Sequence, residues 1–205
     1  MTVFWWNDLW LNEGFAVHIQ YKGVKSYETG WDMESKFLTS TLHPVLELDA
    51  TEGSHPIVVN VDTPDQINAV FDKIAYNKGS SVIRMMENFM GEDDFRQGIT
   101  NFLRKFSFKN AVTEDLLKEL TAVSIGGLNI THIMNTWTRQ KGYPVITVKK
   151  TNVVGEYVIT QSKFGTKSSE MSPYNYKWEI PISYKTSRDS VNHTWLHLED
   201  ESITM

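Results

Sequence analysis

The apolar period of this chain changes once, near Gly142, and that change limits what the chain can fold into. Before Gly142, apolar residues recur at helical spacing. After it, they alternate with polar ones at the period of a strand. Helices followed by strands, rather than the two interleaved, read as α+β and not as an alternating parallel sheet.

Helix ends are written into the first part. Thr63-Pro64-Asp65-Gln66 supplies an N-cap, a proline for the first turn and a capping-box Gln. The pattern then runs through Ile67, Val70, Phe71 and Ile74 and on from Val82 to Phe89, with Gly91 as a stop. Asp94 to Phe106 predicts an amphipathic helix. Thr113-Glu114-Asp115 opens another, with acids where the helix dipole favours them, and Asn129 can cap one reaching Arg139. Beyond Gly142, PVITVKK, EYVITQSKF, YKWEIPISY and HTWLHLE predict four short strands. Four strands without a helix suggest the beginning of an antiparallel β-sandwich, expected to be incomplete. The predicted division is residues 1–142 as a helical unit and residues 143–205 as the start of the sandwich.

Composition narrows the classes. With 40% hydrophobic and 22% charged residues, a 205-residue chain can bury a core. A net charge of −5 with no basic block argues against nucleic acid, and the absence of Cys excludes disulfides and thiolate chemistry. No apolar run approaches the ~18 residues of a membrane-spanning helix. The opening MTVFWWNDLW has neither the basic region nor the apolar core of a signal peptide.

Glu13 stands out on chemical grounds. In a helix over Asp8 to Lys22 it shares a face with Leu9, Trp10, Ala16 and Val17. A carboxylate there is costly unless it is paired, protonated or metal-bound. Spacing alone favours a salt bridge or a capping contact. Similarly, Tyr76 shares a face with Asp72, Gly79 and Ser80, a polar, small-residue surface suited to close approach. Taken alone, such a Tyr reads as a partly buried aromatic.

The words around these residues add to that. WWNDLWLNEGFA, then SHPI with TPDQINAVFDKIAYNKGSSVIRM, then MNTWTRQKGYPVITV resemble, in order, three segments of the zinc aminopeptidases of the aminopeptidase N and glutamyl aminopeptidase type. The resemblance spans nearly the whole chain to Val148. It implies the second half of a thermolysin-like catalytic domain running into a β-sandwich, with zinc as cofactor and peptides as substrates. Carried over residue by residue, it makes Glu13 a zinc ligand and Tyr76 the donor to the oxyanion formed when zinc-activated water attacks the scissile carbonyl. Asp8 and Asn12 become candidates for supporting Glu13. The family's His-Glu-x-x-His helix and Gly-x-Met-Glu-Asn segment do not occur in these residues and are expected upstream, in the same catalytic domain. The cluster Trp5, Trp6 and Trp10 is expected to meet that upstream helix.

Other features read more plainly. Met85-Met86-Glu87-Asn88 sits out of family order and reads as helix surface and core. His18 is turned about 140° from Glu13 on a helix and reads as a packing residue; His43 and His55 precede proline and read as turns or helix ends. Asn129-Ile130-Thr131 and Asn192-His193-Thr194 match the N-glycosylation pattern, with capping as a competing role for Asn129. The resemblance further implies an ectoenzyme of the plasma membrane, with a cytoplasmic location as the alternative, and a possible homodimer. The rival from another class is a noncatalytic helical binding module, a truncated or degenerate copy.

Overall fold

Helices fill the chain from Trp10 to Thr138, and strands longer than two residues begin at Pro144. The computed structural model describes residues 2–165, 171–186 and 190–205. Helix α1 (Trp10–Tyr27) buries Trp10, Leu11, Gly14 and His18, one stripe at helical spacing. Its glycines and branched residues make it a weak helix former, so packing against later helices holds it. Helix α2 (Met33–Phe37) is capped by Asp32, whose carboxylate accepts from the Ser35 amide at 3.0 Å. A π-helical turn (Leu38–Leu42) leads into α3 (His43–Asp49), which begins at the His-Pro pair.

Helix α4 (Pro64–Ala69) carries the expected capping box: the Gln66 amide donates to Thr63 Oγ1 at 3.4 Å, and the Thr63 amide to Gln66 Oε1 at 3.0 Å. The helix stops at Ala69, although the apolar pattern continues to Ile74. Asp72 restarts it, because its carboxylate takes the amides of Ile74 and Ala75 at 2.9 and 3.1 Å. A second π-helical turn (Ile74–Lys78) then runs into α5 (Gly79–Met90), which ends at Gly91 with φ 85. Helices α6 (Glu92–Lys105), α7 (Thr113–Val123) and α8 (Ile130–Thr138) follow as the sequence predicts. The Asn129 side chain caps α8 by accepting from the His132 amide at 3.0 Å.

Two residues at the start, β1 (Thr2–Val3), pair in parallel with β2 (Asn110–Ala111). Elements this short leave no period in the sequence. Strands β3 (Pro144–Lys150), β4 (Tyr157–Lys163) and β7 (Ile203–Thr204) form one antiparallel sheet, and β5 (Ile180–Tyr184) with β6 (Asn192–Leu196) forms a second. The stretch from Tyr176 to Glu179, expected within a strand, lies outside one. Asn175 and Tyr176 are left-handed (φ 51 and 54), and the Trp178 amide donates to the Gln161 side chain at 2.8 Å.

One large core lies among the helices, centred on Trp10, Ile83, Met86, Leu116, Leu117, Leu120 and Met134. A small one, Ile159, Trp178, Ile180 and Leu196, lies between the two sheets. Trp137 touches both cores, and its indole N–H donates to the Glu179 carbonyl at 2.8 Å. The buried Glu179 carboxylate also accepts from His132 at 3.2 Å and His197 at 2.6 Å, tying α8 to the strands. The architecture is α+β. The three N-terminal tryptophans do not form one surface: Trp10 is wholly buried, Trp5 donates to the Val61 carbonyl at 2.7 Å, and Trp6 leans on Phe71.

Candidate active site

Helix α1 crosses the start of α5 backbone to backbone. A methyl group on Gly14 would lie 3.0 Å from the Gly79 carbonyl carbon and 3.2 Å from its Cα. One on Gly79 would lie 3.3 Å from the Gly14 Cα. Only glycine at both positions lets the helices approach so closely. Glu13 immediately precedes one of these glycines, and Tyr76 lies just upstream of the other. The crossing therefore brings the two predicted site residues together. The Tyr76 phenol and the Glu13 carboxylate are near enough for the carboxylate charge to act on the phenol. Partial burial, then the neighbouring Glu13 carboxylate, push the phenol above its ordinary pKa of 10.0. Glu13 is half-buried, and among the described residues no Lys, Arg or His pairs with it.

The turn that carries Tyr76 is tied at both ends. Upstream, His55 Nε2 lies 2.9 Å from Asp72 Oδ2, and His55 Nδ1 lies 2.7 Å from the Pro56 carbonyl. Both ring nitrogens face acceptors, an arrangement that only the doubly protonated imidazolium satisfies. Burial opposes the charge on His55, but the bonds to Asp72 and Pro56 outweigh it and raise its pKa. Asp72 is likewise penalised by burial, yet His55 and the two amides it accepts lower its pKa. Downstream, the buried Lys78 ammonium lies 2.7 Å from Asp49 and donates to the Gly142 carbonyl at 3.0 Å. Spacing signals this one in hindsight: Lys78 falls between the core residues Ile74 and Val82 at helical intervals. Nothing local in the sequence links His55 to Asp72.

The donor set is incomplete as a metal centre. Among the described residues no group of three His, Asp or Glu side chains could hold an ion. A catalytic zinc site takes three protein ligands, and Glu13, an unpaired carboxylate at the crossing, fits the place of one. The other candidates lie elsewhere. His18 is buried in the stripe of α1, edge-on to Phe95 and 3.0 Å from Glu87, so it packs rather than ligates. His193 and His197 have His-x-x-x-His spacing without the Glu. On a strand such residues stand about 13 Å apart, and they turn to Ser183 and Glu179 respectively. Asp8 does not support Glu13: it belongs to the turn before α1, and its carboxylate accepts from the Thr113 hydroxyl at 2.6 Å at the start of α7. Asn12 is half-buried beside Glu13, and no hydrogen bond joins the two among the described residues.

Comparison with known proteins bears on the family of the chain. The sequence pattern of the peptidase family M1 domain matches residues 1–137. The chain is 40% identical over 210 residues to glutamyl aminopeptidase of Homo sapiens, covering all of this chain and 21% of that protein. It is 42% identical over 190 residues to glutamyl aminopeptidase of Bitis rhinoceros, covering 93% of this chain and 20% of that protein. Aminopeptidase Ey of Gallus gallus is 40% identical over 208 residues, covering 96% and 21%. The chain thus spans about a fifth of the length of these relatives. A match over most of its residues, together with identity near 40% along nearly all of them, places it: the chain belongs to peptidase family M1.

Proposed function

We propose that this chain is part of a zinc-dependent metallo-aminopeptidase that removes N-terminal residues from peptides, with Glu13 as a zinc ligand and Tyr76 as the donor to the oxyanion. The observation that carries this is the meeting of Glu13 and Tyr76, two residues from separate stretches of sequence, at a crossing built from two glycines. A bound zinc would polarise the scissile carbonyl and activate the attacking water. Glu13 would offer it one carboxylate oxygen, from a helix whose packing at Gly14 and Gly79 supports a defined position. The Tyr76 hydroxyl, a phenol that is protonated near neutral pH, would donate to the carbonyl oxygen as that oxygen gains charge. The remaining ligands and the general base would come from outside these residues. An ectoenzyme of the plasma membrane is the proposed setting, although no helix among the described residues is long and apolar enough to cross a membrane.

The test uses the full-length protein. Tyr76→Phe should lower kcat by about 10²–10³, the loss of one oxyanion donor, with zinc content unchanged. Glu13→Ala should instead deplete zinc. Loss of zinc in the Tyr76 variant, or undiminished turnover, would refute the assignment.

A further inference from the structure

We propose that Lys78 is a positioning residue for Tyr76. It is a buried cation that, through Asp49 and Gly142, locks the π-helical turn on which the phenol is carried. This rests on the reading of Tyr76 given above.

Lys78 is 5% exposed and Asp49 2%. Burying an ammonium costs several kcal/mol unless it is paired and hydrogen-bonded, and here the compensation is thorough. The ammonium lies 2.7 Å from Asp49 Oδ2 and donates to the Gly142 carbonyl at 3.0 Å. Asp49 Oδ1 in turn accepts from the Gly142 amide at 2.9 Å and from the Ser54 hydroxyl at 2.5 Å. Both peptide groups of Gly142 are thus held, one by each partner of the ion pair. Gly142 itself is left-handed (φ 80), at the point where helices give way to strands.

The position of this network suggests its purpose. Lys78 is the last residue of the turn Ile74–Lys78, and Tyr76 is its centre. Asp72 and His55 hold the first end of the turn, and Lys78 holds the second. A π-helical turn takes in one residue more than an α-helical turn and is rarely stable unaided. Relaxing it to an α-helix would re-phase the residues before it by about 100° and swing the phenol away from Glu13. Lys78 is buried and its ammonium is taken up by Asp49 and Gly142, so its proposed effect on turnover is indirect, through the turn that carries Tyr76. Displacing a reacting group by about 1 Å can cost about 10²-fold in rate.

The experiment compares Lys78→Met, Lys78→Arg, Tyr76→Phe and the double variant Lys78→Met/Asp49→Asn in the full-length protein. The double variant avoids a lone buried carboxylate and keeps the acceptor for the Gly142 amide. It therefore tests the idea even if Lys78→Met alone fails to fold. The double variant is expected to lose about 10²-fold in kcat, with KM within about twofold and zinc content unchanged. Its affinity for a phosphinate pseudopeptide, which mimics the tetrahedral transition state, should fall in parallel, while binding of the peptide product should not. Adding Tyr76→Phe to it should cost little more, because both changes act on one donor. Wild-type kcat per folded molecule in the double variant, with Tyr76→Phe costing its full factor in either background, would overturn the positioning role alone. If Tyr76→Phe by itself leaves turnover intact, the reading of the site fails and the positioning role with it.

Discussion

Replacing Gly14 with Ala should reverse the usual sign of a helix Gly→Ala change. In a helix interior, Ala is favoured over Gly by about 1 kcal/mol. At Gly23, on the same helix, nothing lies within 4 Å of the new methyl, so Gly23→Ala should stabilise by about 0.4–1 kcal/mol. At Gly14 the methyl would sit 3.0 and 3.2 Å from Gly79 backbone carbons and 3.2 Å from Ile83 Cδ1. Carbon atoms prefer about 3.5–4.0 Å, so the helices must part by about half an ångström. Overpacking of this kind costs about 1–3 kcal/mol. The net effect is a loss of about 0–2 kcal/mol, against a gain at Gly23. Gly79→Ala, with contacts at 3.3, 3.6 and 3.7 Å, should fall between them. Urea unfolding of the full-length variants, followed by circular dichroism, gives the order. If Gly14→Ala proves as stable as Gly23→Ala, the backbone contact does not set the spacing of these helices. Gly14→Ala should lose the most turnover and Gly79→Ala less, as Glu13 and Tyr76 are drawn apart, while Gly23→Ala should keep it.

His55→Gln should destabilise the protein in a pH-dependent way. The folded pKa of His55 lies above its ordinary 6.5, so its contribution is full below about pH 6.5 and fades as pH rises through the folded value. Asp72, lowered from 3.8, contributes above about pH 4 and loses that as pH falls through its folded value. The gap in melting temperature between wild type and His55→Gln should therefore be widest between about pH 4 and 6.5 and narrow toward pH 9; a constant gap would refute the imidazolium assignment. The 205-residue chain expressed by itself should bind zinc weakly and not cleave aminoacyl anilides, since among the described residues no three side chains could hold an ion together. Tight stoichiometric binding, measured by calorimetry, would contradict this.

Features held by local chemistry were legible in the sequence. The capping box at Thr63, the acids opening α7, the Asn129 cap and the alternation in β3 and β4 appear where their residues predict. The face of Tyr76, read as suited to close approach, does make one at Gly79, but its partner Gly14 lies on another helix and could not be named from spacing. The break after Ala69 was hidden because Val70 and Ile74 keep the apolar period although the chain leaves the helix between them. Asp72, a capping residue within that run, was the overlooked signal. Glu13 and Tyr76 emerged from resemblance, whereas the ties that hold the Tyr76 turn (His55 to Asp72, Lys78 to Asp49) join distant parts of the chain that no periodicity connects.

The anchoring of α1 at its first turn has a consequence for the order in which the molecule assembles. Asp8 meets Thr113 across 105 residues of sequence, Trp10 donates to the same Thr113 hydroxyl at 2.9 Å, and β1 pairs with β2 close by. Closing a loop of that length costs about 4 kcal/mol of chain entropy beyond the constant term, recovered only when α7 exists to receive the helix. On the ribosome, the helix bearing Glu13 must therefore emerge long before its seat has been made. Its apolar stripe gains α5 as a first partner at Gly79, but the polar anchors of Asp8 and the Trp10 indole wait for Thr113, about a hundred residues later. Slowing translation between α1 and α7 should lengthen that wait and lower the yield of soluble protein without altering the finished fold.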